Sequence, residues 1–124
     1  MPAKRITPCP EGSQKCVSTL DTQKYCAMEP VPFTGTPDQA RAAVLQVIAE
    51  FPRTAVVEDD GGYVKAIFKT KVIRFKDTVE FEVDAEDNLV HFRSESVPYA
   101  GSDLGANRKR MTVVRANLVA ALAG

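Results

Sequence analysis

Between residues 55 and 95 short runs alternate apolar and polar side chains between turn signals, and on either side of that stretch apolar residues recur at three- and four-residue steps. A period of two builds strands and a period near 3.6 builds helices, so the chain reads as helix, sheet, helix. The clearest run sets Val79, Phe81 and Val83 against Glu80, Glu82 and Asp84. One face meets a core and the other is polar, as in a half-buried antiparallel strand. Before it, Ala55-Val56-Val57-Glu58 forms a short strand, and Asp60-Gly61-Gly62 supplies a turn tolerant of positive φ. The next strand carries Val64, Ala66 and Phe68 on one face and Tyr63, Lys65, Ile67 and Lys69 on the other. Lys71-Val72-Ile73-Arg74-Phe75 continues that strand or makes a separate one. Asp87-Asn88 then turns the chain into a last strand, Leu89 to Glu95, with Val90 and Phe92 facing in.

The first helix is marked at both ends. Thr36 suits the N-cap, Pro37 the first helical position, Gln39 completes a capping box, and Pro52 stops a helix of about residues 37–51. Its stripe is Ala40, Ala43, Val44, Val47, Ile48 and Phe51. Helical spacing returns in Met111, Val114, Leu118, Ala121 and Leu122, giving a terminal helix over about residues 104–122 with a basic outer face, Arg108, Lys109, Arg110 and Arg115. The expected fold class is α+β: a helix, about four antiparallel strands (three to five), and a C-terminal helix, with both helices packed on one face of the sheet. Residues 1–35, rich in proline, read as a loop-rich lead-in draped over the domain and anchored by Val31 and Phe33. Residues 36–124 read as a single α+β domain.

Charge narrows the function classes. Sixteen Lys and Arg balance sixteen Asp and Glu, which removes the basic excess that argues for nucleic-acid binding. No apolar run reaches the roughly 20 residues of a membrane-spanning helix. Met1–Pro8 holds no apolar stretch of signal-peptide type. The chain therefore reads as cytoplasmic, or as a cell-envelope protein if Met1 is not its natural start. Bases crowd residues 65–76 and acids residues 80–87, so neighbouring strands place them opposite one another on a solvated sheet face. A basic groove for an anion is the rival use of the same residues.

The cysteines are Cys9, Cys16 and Cys26, an odd number in the first quarter of the chain. Cys9 and Cys16 frame the turn-rich segment Pro10–Lys15, so either they close a disulfide or the thiols stay free. A zinc site would need a fourth ligand, and the lone histidine, His91, lies far along the chain. No metal and no cofactor is therefore assigned.

Polar residues are densest between the last strand and the last helix. Ser102 or Asp103 can cap the helix, and the dipole favours Asp103 there. Gly105 is costly inside a first helical turn and suggests a close approach to the backbone. Asn107 falls one step before Met111 in the apolar stripe, so it is expected to be buried and to bond the Ser94–Ser96 strand end. One reading is a structural knot. The other is a small anion held by helix-end amides with Arg93, Arg108 or Arg110, against which Asp103 competes. Catalytic constellations are scarce: His91 falls on the polar, solvated sheet face, Ser94 and Ser96 lack a base, and no phosphate loop is present.

The run Cys9-Pro10, Cys16-Val17-Ser18, Arg53-Thr54, Phe75–Phe81, Arg93–Ser96 and Ser102–Arg110 resembles the domain of unknown function 1499 family, found in bacteria and photosynthetic eukaryotes. The resemblance spans Cys9 to about Leu118, and Ser-Asp-x-Gly-x-Asn-Arg-x-Arg is its most specific part. It implies Cys9 and Cys16 as a pair, and Ser94, Ser96, Ser102, Asp103, Asn107, Arg108 and Arg110 as a shared polar site. It implies no established activity. Many relatives look exported or membrane-anchored through an apolar segment before the first cysteine, which this chain lacks. The expectation is a non-catalytic binding or accessory module, taking a small anion or a protein partner. The alternatives are a small-ligand enzyme using Asp103 or Glu95 with an Arg clamp, and an interaction module docking through its basic C-terminal helix.

Overall fold

The computed structural model describes residues 5–69, 76–97 and 101–123. In chain order the elements are β1 (Cys16–Ser18), β2 (Val31–Pro32), α1 (Pro37–Ala49), β3 (Thr54–Asp60), β4 (Tyr63–Lys69), β5 (Lys76–Asp84), β6 (Leu89–Val97) and α2 (Ala106–Ala123). The sequence expectation of a strand over Lys71–Phe75 lies outside the described residues. Six strands form one sheet in the order β1-β6-β5-β4-β3, with β2 also on β6. All strand pairings are antiparallel.

The fold class is the α+β arrangement read from the periodicity, but the strand count is higher than about four. The two additional strands come from the lead-in. β1 lies opposite Arg93–Glu95 and β2 opposite Leu89–Val90, so they share one edge of β6. Each is too short to show an alternation. Pro32 is tolerated because it ends a two-residue strand at the rim, where a missing N–H costs little.

α1 starts as the capping box dictates: the Thr36 hydroxyl accepts from Gln39 N at 3.1 Å, and Gln39 Oε1 accepts from Thr36 N at 2.8 Å. It buries Ala40, Ala43, Val44, Val47 and Ile48. α2 buries Asn107, Met111, Val114 and Leu118. The helices lie side by side on one sheet face, α1 over β3–β5 and α2 over β1, β2 and β6. Register supplies the other half of the core, since Val64, Phe81 and Phe92 are cross-strand neighbours, as are Ala66, Val79 and Ser94. Val31 and Phe33 join the same cluster. α2 begins two residues later than its apolar stripe suggests, because Leu104 and Gly105 sit at φ +55° and +83°, outside the helix.

The opposite face is not the solvated surface expected. Tyr63, Glu82, Asp84 and His91 are buried on it. The N–H groups of Arg5 and Ile6 donate to Glu82 Oε1 at 3.0 and 3.1 Å, and Ile6 is itself buried. The Arg5 guanidinium lies 3.8 Å from the centre of the Tyr63 ring. A strand face that reads as polar is thus roofed by backbone donors, which carry no sequence signature.

A disulfide joins Cys9 to Cys16, with Cα atoms 5.8 Å apart, and Cys26 is free and buried. Closing a loop of about 8 residues stabilises the fold by about 2.5 kcal/mol in the chain-entropy model. Reducing the bridge in the presence of a chelator is expected to lower the unfolding free energy by about that amount. The unfolding free energy of the Cys9→Ala/Cys16→Ala chain, from urea titration, should fall by the same margin and be insensitive to reductant.

Candidate functional site

The polar residues singled out in the sequence separate in space into a buried knot and three outlying arginines. Ser94 and Ser96 share the inward phase of β6 with Val90 and Phe92, and so face α2. Asn107 lies in the first turn of α2, fully buried above them. Its Oδ1 accepts from Ser94 Oγ at 2.6 Å. Its Nδ2 donates to Ser96 Oγ at 2.9 Å, to Asp103 Oδ2 at 2.7 Å and to the Lys15 carbonyl at 3.1 Å. One carboxamide therefore binds the last strand, the helix entry and the lead-in together.

Asp103 is the second centre. Its Oδ1 accepts from Gly105 N at 2.7 Å and from the Tyr25 hydroxyl at 2.7 Å, and its Oδ2 also accepts from Asn107 N at 3.2 Å. Its own N–H donates to the Gln14 carbonyl at 2.8 Å. Gly105 is needed where φ is +83°, a conformation other residues adopt at a cost. Ser102 Oγ accepts from Leu104 N at 3.0 Å and shapes the turn. Burial pushes the Asp103 carboxyl up, but donors from Asn107, Tyr25 and Gly105 outweigh it and hold the group below the ordinary range. Tyr25 moves up because its proton is committed to Asp103, with burial adding to the effect.

The arginines are spent elsewhere. Arg93 sits one residue out of phase, on the opposite sheet face, with Glu95 at 3.0 Å and Glu80 at 3.8 Å. Arg108 donates to the carbonyls of Tyr25 at 2.6 Å and Ala27 at 3.0 Å. Arg110 pairs at 2.5 Å with Asp77, which is buried opposite Ser96. Arg115 donates to the carbonyls of Glu29 and Pro30 at 2.9 and 3.0 Å. The basic face of α2 is therefore largely turned onto the chain itself, with Lys109 left exposed.

Lys15, Gln14, Tyr25 and Asp77 belong to the arrangement and were missed. Gln14 acts through its carbonyl, to which sequence is blind, and Lys15 through its carbonyl and through its ammonium, which donates to the Ser96 carbonyl at 2.9 Å. Asp77 was visible in principle, since it stands in the inward phase of Val79 and Phe81. His91, expected to be solvated, is buried because Thr19 covers it, with Oγ1 2.9 Å from Nδ1. Asp84 stands 4.0 Å from its Nε2. Burial pushes the imidazole below its ordinary value, against the upward pull of Asp84, Glu82 and Asp87.

Among the described residues, cavities of about 360 and 250 Å³ adjoin these elements. The first has Lys15, Glu95 and Gly101 in its wall, the second Phe33, Gln39 and Leu122, and neither is lined by Asp103 or Asn107. Among the described residues no helix is long and apolar enough to cross a membrane.

Residues 5–118 match the family model described as Protein of unknown function (DUF1499). The chain belongs to the DUF1499 family. A search of curated proteins finds no match. The matched stretch of this DUF1499 chain contains the whole knot and the arginine contacts around it, from Gln14 to Arg115.

Removing the Asn107 amide strands several buried partners, each costing about 1–3 kcal/mol. Asn107→Ala is expected to cost at least about 3 kcal/mol by urea unfolding, against within about 0.5 kcal/mol for exposed Lys109→Ala. pH gives a second check. The folded His91 pKa lies below the unfolded value of 6.5, so the unfolded state binds the extra proton and stability falls as pH drops below 6.5. Asp103 and Asp21 lose their contribution in a separate window, as pH falls below 3.8. The melting temperature should decline between pH 7 and pH 5 in the natural chain, and His91→Asn should flatten that slope.

Proposed function

We propose that this chain is a non-catalytic binding or accessory module, with an anion-accepting seat at the start of α2 that its own Asp103 fills. The observation that carries the reading is the state of Asp103: four hydrogen-bond donations reach its carboxylate, two of them from backbone N–H groups at the helix entry. Such a terminus suits an anion through its free amides and dipole. General acid–base work asks for a carboxyl tuned toward the operating pH, and Asp103 is shifted the other way. Glu95, the other carboxylate considered for an enzyme, is neutralised between Lys15 at 3.3 Å and Arg93 at 3.0 Å. Docking through the basic helix draws no support either, because Arg108, Arg110 and Arg115 already hold internal partners.

The test is a thermal-shift screen of the natural chain and of Asp103→Ala against formate, phosphate, nucleotides, lipids and cofactors, with chloride as the ionic-strength control. A ligand at 100 times its Kd adds about 2.7 kcal/mol, seen as a raised melting temperature. Such a shift in the natural chain is the expected mark of a binding module, and its absence with every class overturns that clause. Asp103→Ala should melt lower and recover part of the loss with formate but not chloride. No recovery overturns the seat. Turnover of any screened compound that Asp103→Asn abolishes overturns the non-catalytic clause.

A further inference from the structure

The buried corner outside the knot holds all the cysteines of the chain. Cys9, Cys16 and Cys26 pack as one buried cluster. Cys9 Sγ, Cys26 Sγ and a carboxylate oxygen of Asp21 all lie within 4.8 Å of one another. Cys16 Sγ is covalently joined to Cys9 Sγ and so lies one bond away from that group. Asp21 is pre-oriented: Oδ2 accepts from Cys9 N at 2.7 Å and Oδ1 from Gln23 N at 2.7 Å. Gln23 Nε2 reaches Oδ2 at 3.2 Å. Outer contacts of this kind hold a metal ligand in place.

We propose that, once the Cys9–Cys16 bridge is reduced, Cys9, Cys16, Cys26 and Asp21 form a four-ligand site for a borderline-soft divalent cation of the zinc class. Sulfur-to-zinc bonds of about 2.3 Å put tetrahedral donor atoms roughly 3.8 Å apart, so the spread of up to 4.8 Å among Cys9, Cys26 and Asp21 closes with movements of about 1 Å, and Cys16 Sγ takes the fourth position by parting from Cys9 Sγ on reduction. The fourth ligand that the sequence left wanting is thus Asp21, brought in by the turn that follows β1. The disulfide and the metal exclude each other because they use the same two sulfurs. Opening the bridge with a phosphine oxidises the phosphine to its oxide with the oxygen of one water, and that water's two protons go to the two sulfurs. The cation then displaces three thiol protons and takes the ionised Asp21, leaving a net charge of −2 on the site. Arg108, whose guanidinium bonds the Ala27 carbonyl beside Cys26 at 3.0 Å, stands next to that charge. This site lies outside the reading of the Asp103 seat and does not depend on it.

The experiment titrates the full chain with Co²⁺, after phosphine reduction and anaerobic removal of excess reductant, beside the oxidised chain. The expected result is one equivalent bound, with a sulfur-to-cobalt charge-transfer band and tetrahedral d–d absorption, both removed by Zn²⁺. The oxidised chain should show neither. Cys26→Ser should weaken binding by at least about tenfold, no less than the loss of an outer-shell partner does, and diminish the charge-transfer band. Asp21→Asn should weaken binding by a similar factor while keeping the sulfur band. Circular dichroism records whether the reduced chain is folded before metal is added. Thiols of an unfolded chain bind cobalt without regard to Asp21, so an Asp21→Asn chain that binds as tightly as the natural one overturns the proposal. Equal affinity in Cys26→Ser, or no tetrahedral spectrum in the reduced natural chain, overturns it as well.

Discussion

The buried carboxamide of Asn107 is the contact on which the rest of the arrangement hangs. It sits where β6, the entry of α2 and the lead-in converge, and it meets the hydrogen-bonding needs of all three at once. Inside a low-dielectric layer such a group is favourable only when fully satisfied, and the partners it serves are equally costly to leave alone. The chain cannot shift one of these elements without breaking the bonds of the others. Asp103 reinforces the same junction by taking the helix-entry amides, and Arg110 with Asp77 extends it to β5.

The sheet is covered by the helices on one face and, around Tyr63, Glu82 and His91, by the lead-in on the other. Helices protect one face in the ordinary way. The other is protected by residues 5–9, anchored by Glu82, by the Cys9–Cys16 bridge and by the bond of Ser18 Oγ to the Thr7 carbonyl at 2.9 Å. Polar groups on that face consequently become buried: Glu82 accepts backbone donors, and burial pushes the His91 imidazole below its ordinary value. The far edge, β3, uses another device. It carries Glu58, Asp59 and Asp60 and a register irregularity between Val56 and Glu58, features that discourage pairing with another chain.

Much of this was legible because periodicity and caps are local. The α1 start follows from Thr36, Pro37 and Gln39, and the inward phase of β5 from Val79 and Phe81. The meeting of Asn107 with Ser94 and Ser96 follows from one helical stripe and one strand alternation. What stayed hidden was carried by backbone groups. β1 and β2 are recruited by pairing with β6, the roof over Glu82 is made of N–H groups, and Arg108 and Arg115 bind carbonyls. Arg93 shows the opposite failure. Its parity was readable beside Ser94, yet its charge drew it into a site from which the pleat excludes it.

The choice of carbonyls as the partners of Arg108 and Arg115 has a structural consequence of its own. Ion pairs between side chains tolerate slippage, because long side chains can follow a moved partner. Nη2 of Arg108 on the carbonyls of Tyr25 and Ala27, and the Nε and Nη2 fork of Arg115 on those of Glu29 and Pro30, fix the path of the main chain whatever side chains it carries. That path sets where Cys26 lies, since its own N–H donates to the Gln23 carbonyl at 3.0 Å within the same curve of backbone. It also sets where Tyr25 meets Asp103. The basic face of α2 is thus better understood as a template for residues 24–30 than as a docking surface. A buried free thiol stays next to a disulfide only while that template holds, which makes the position of Cys26 a property of the helix as much as of the loop that carries it.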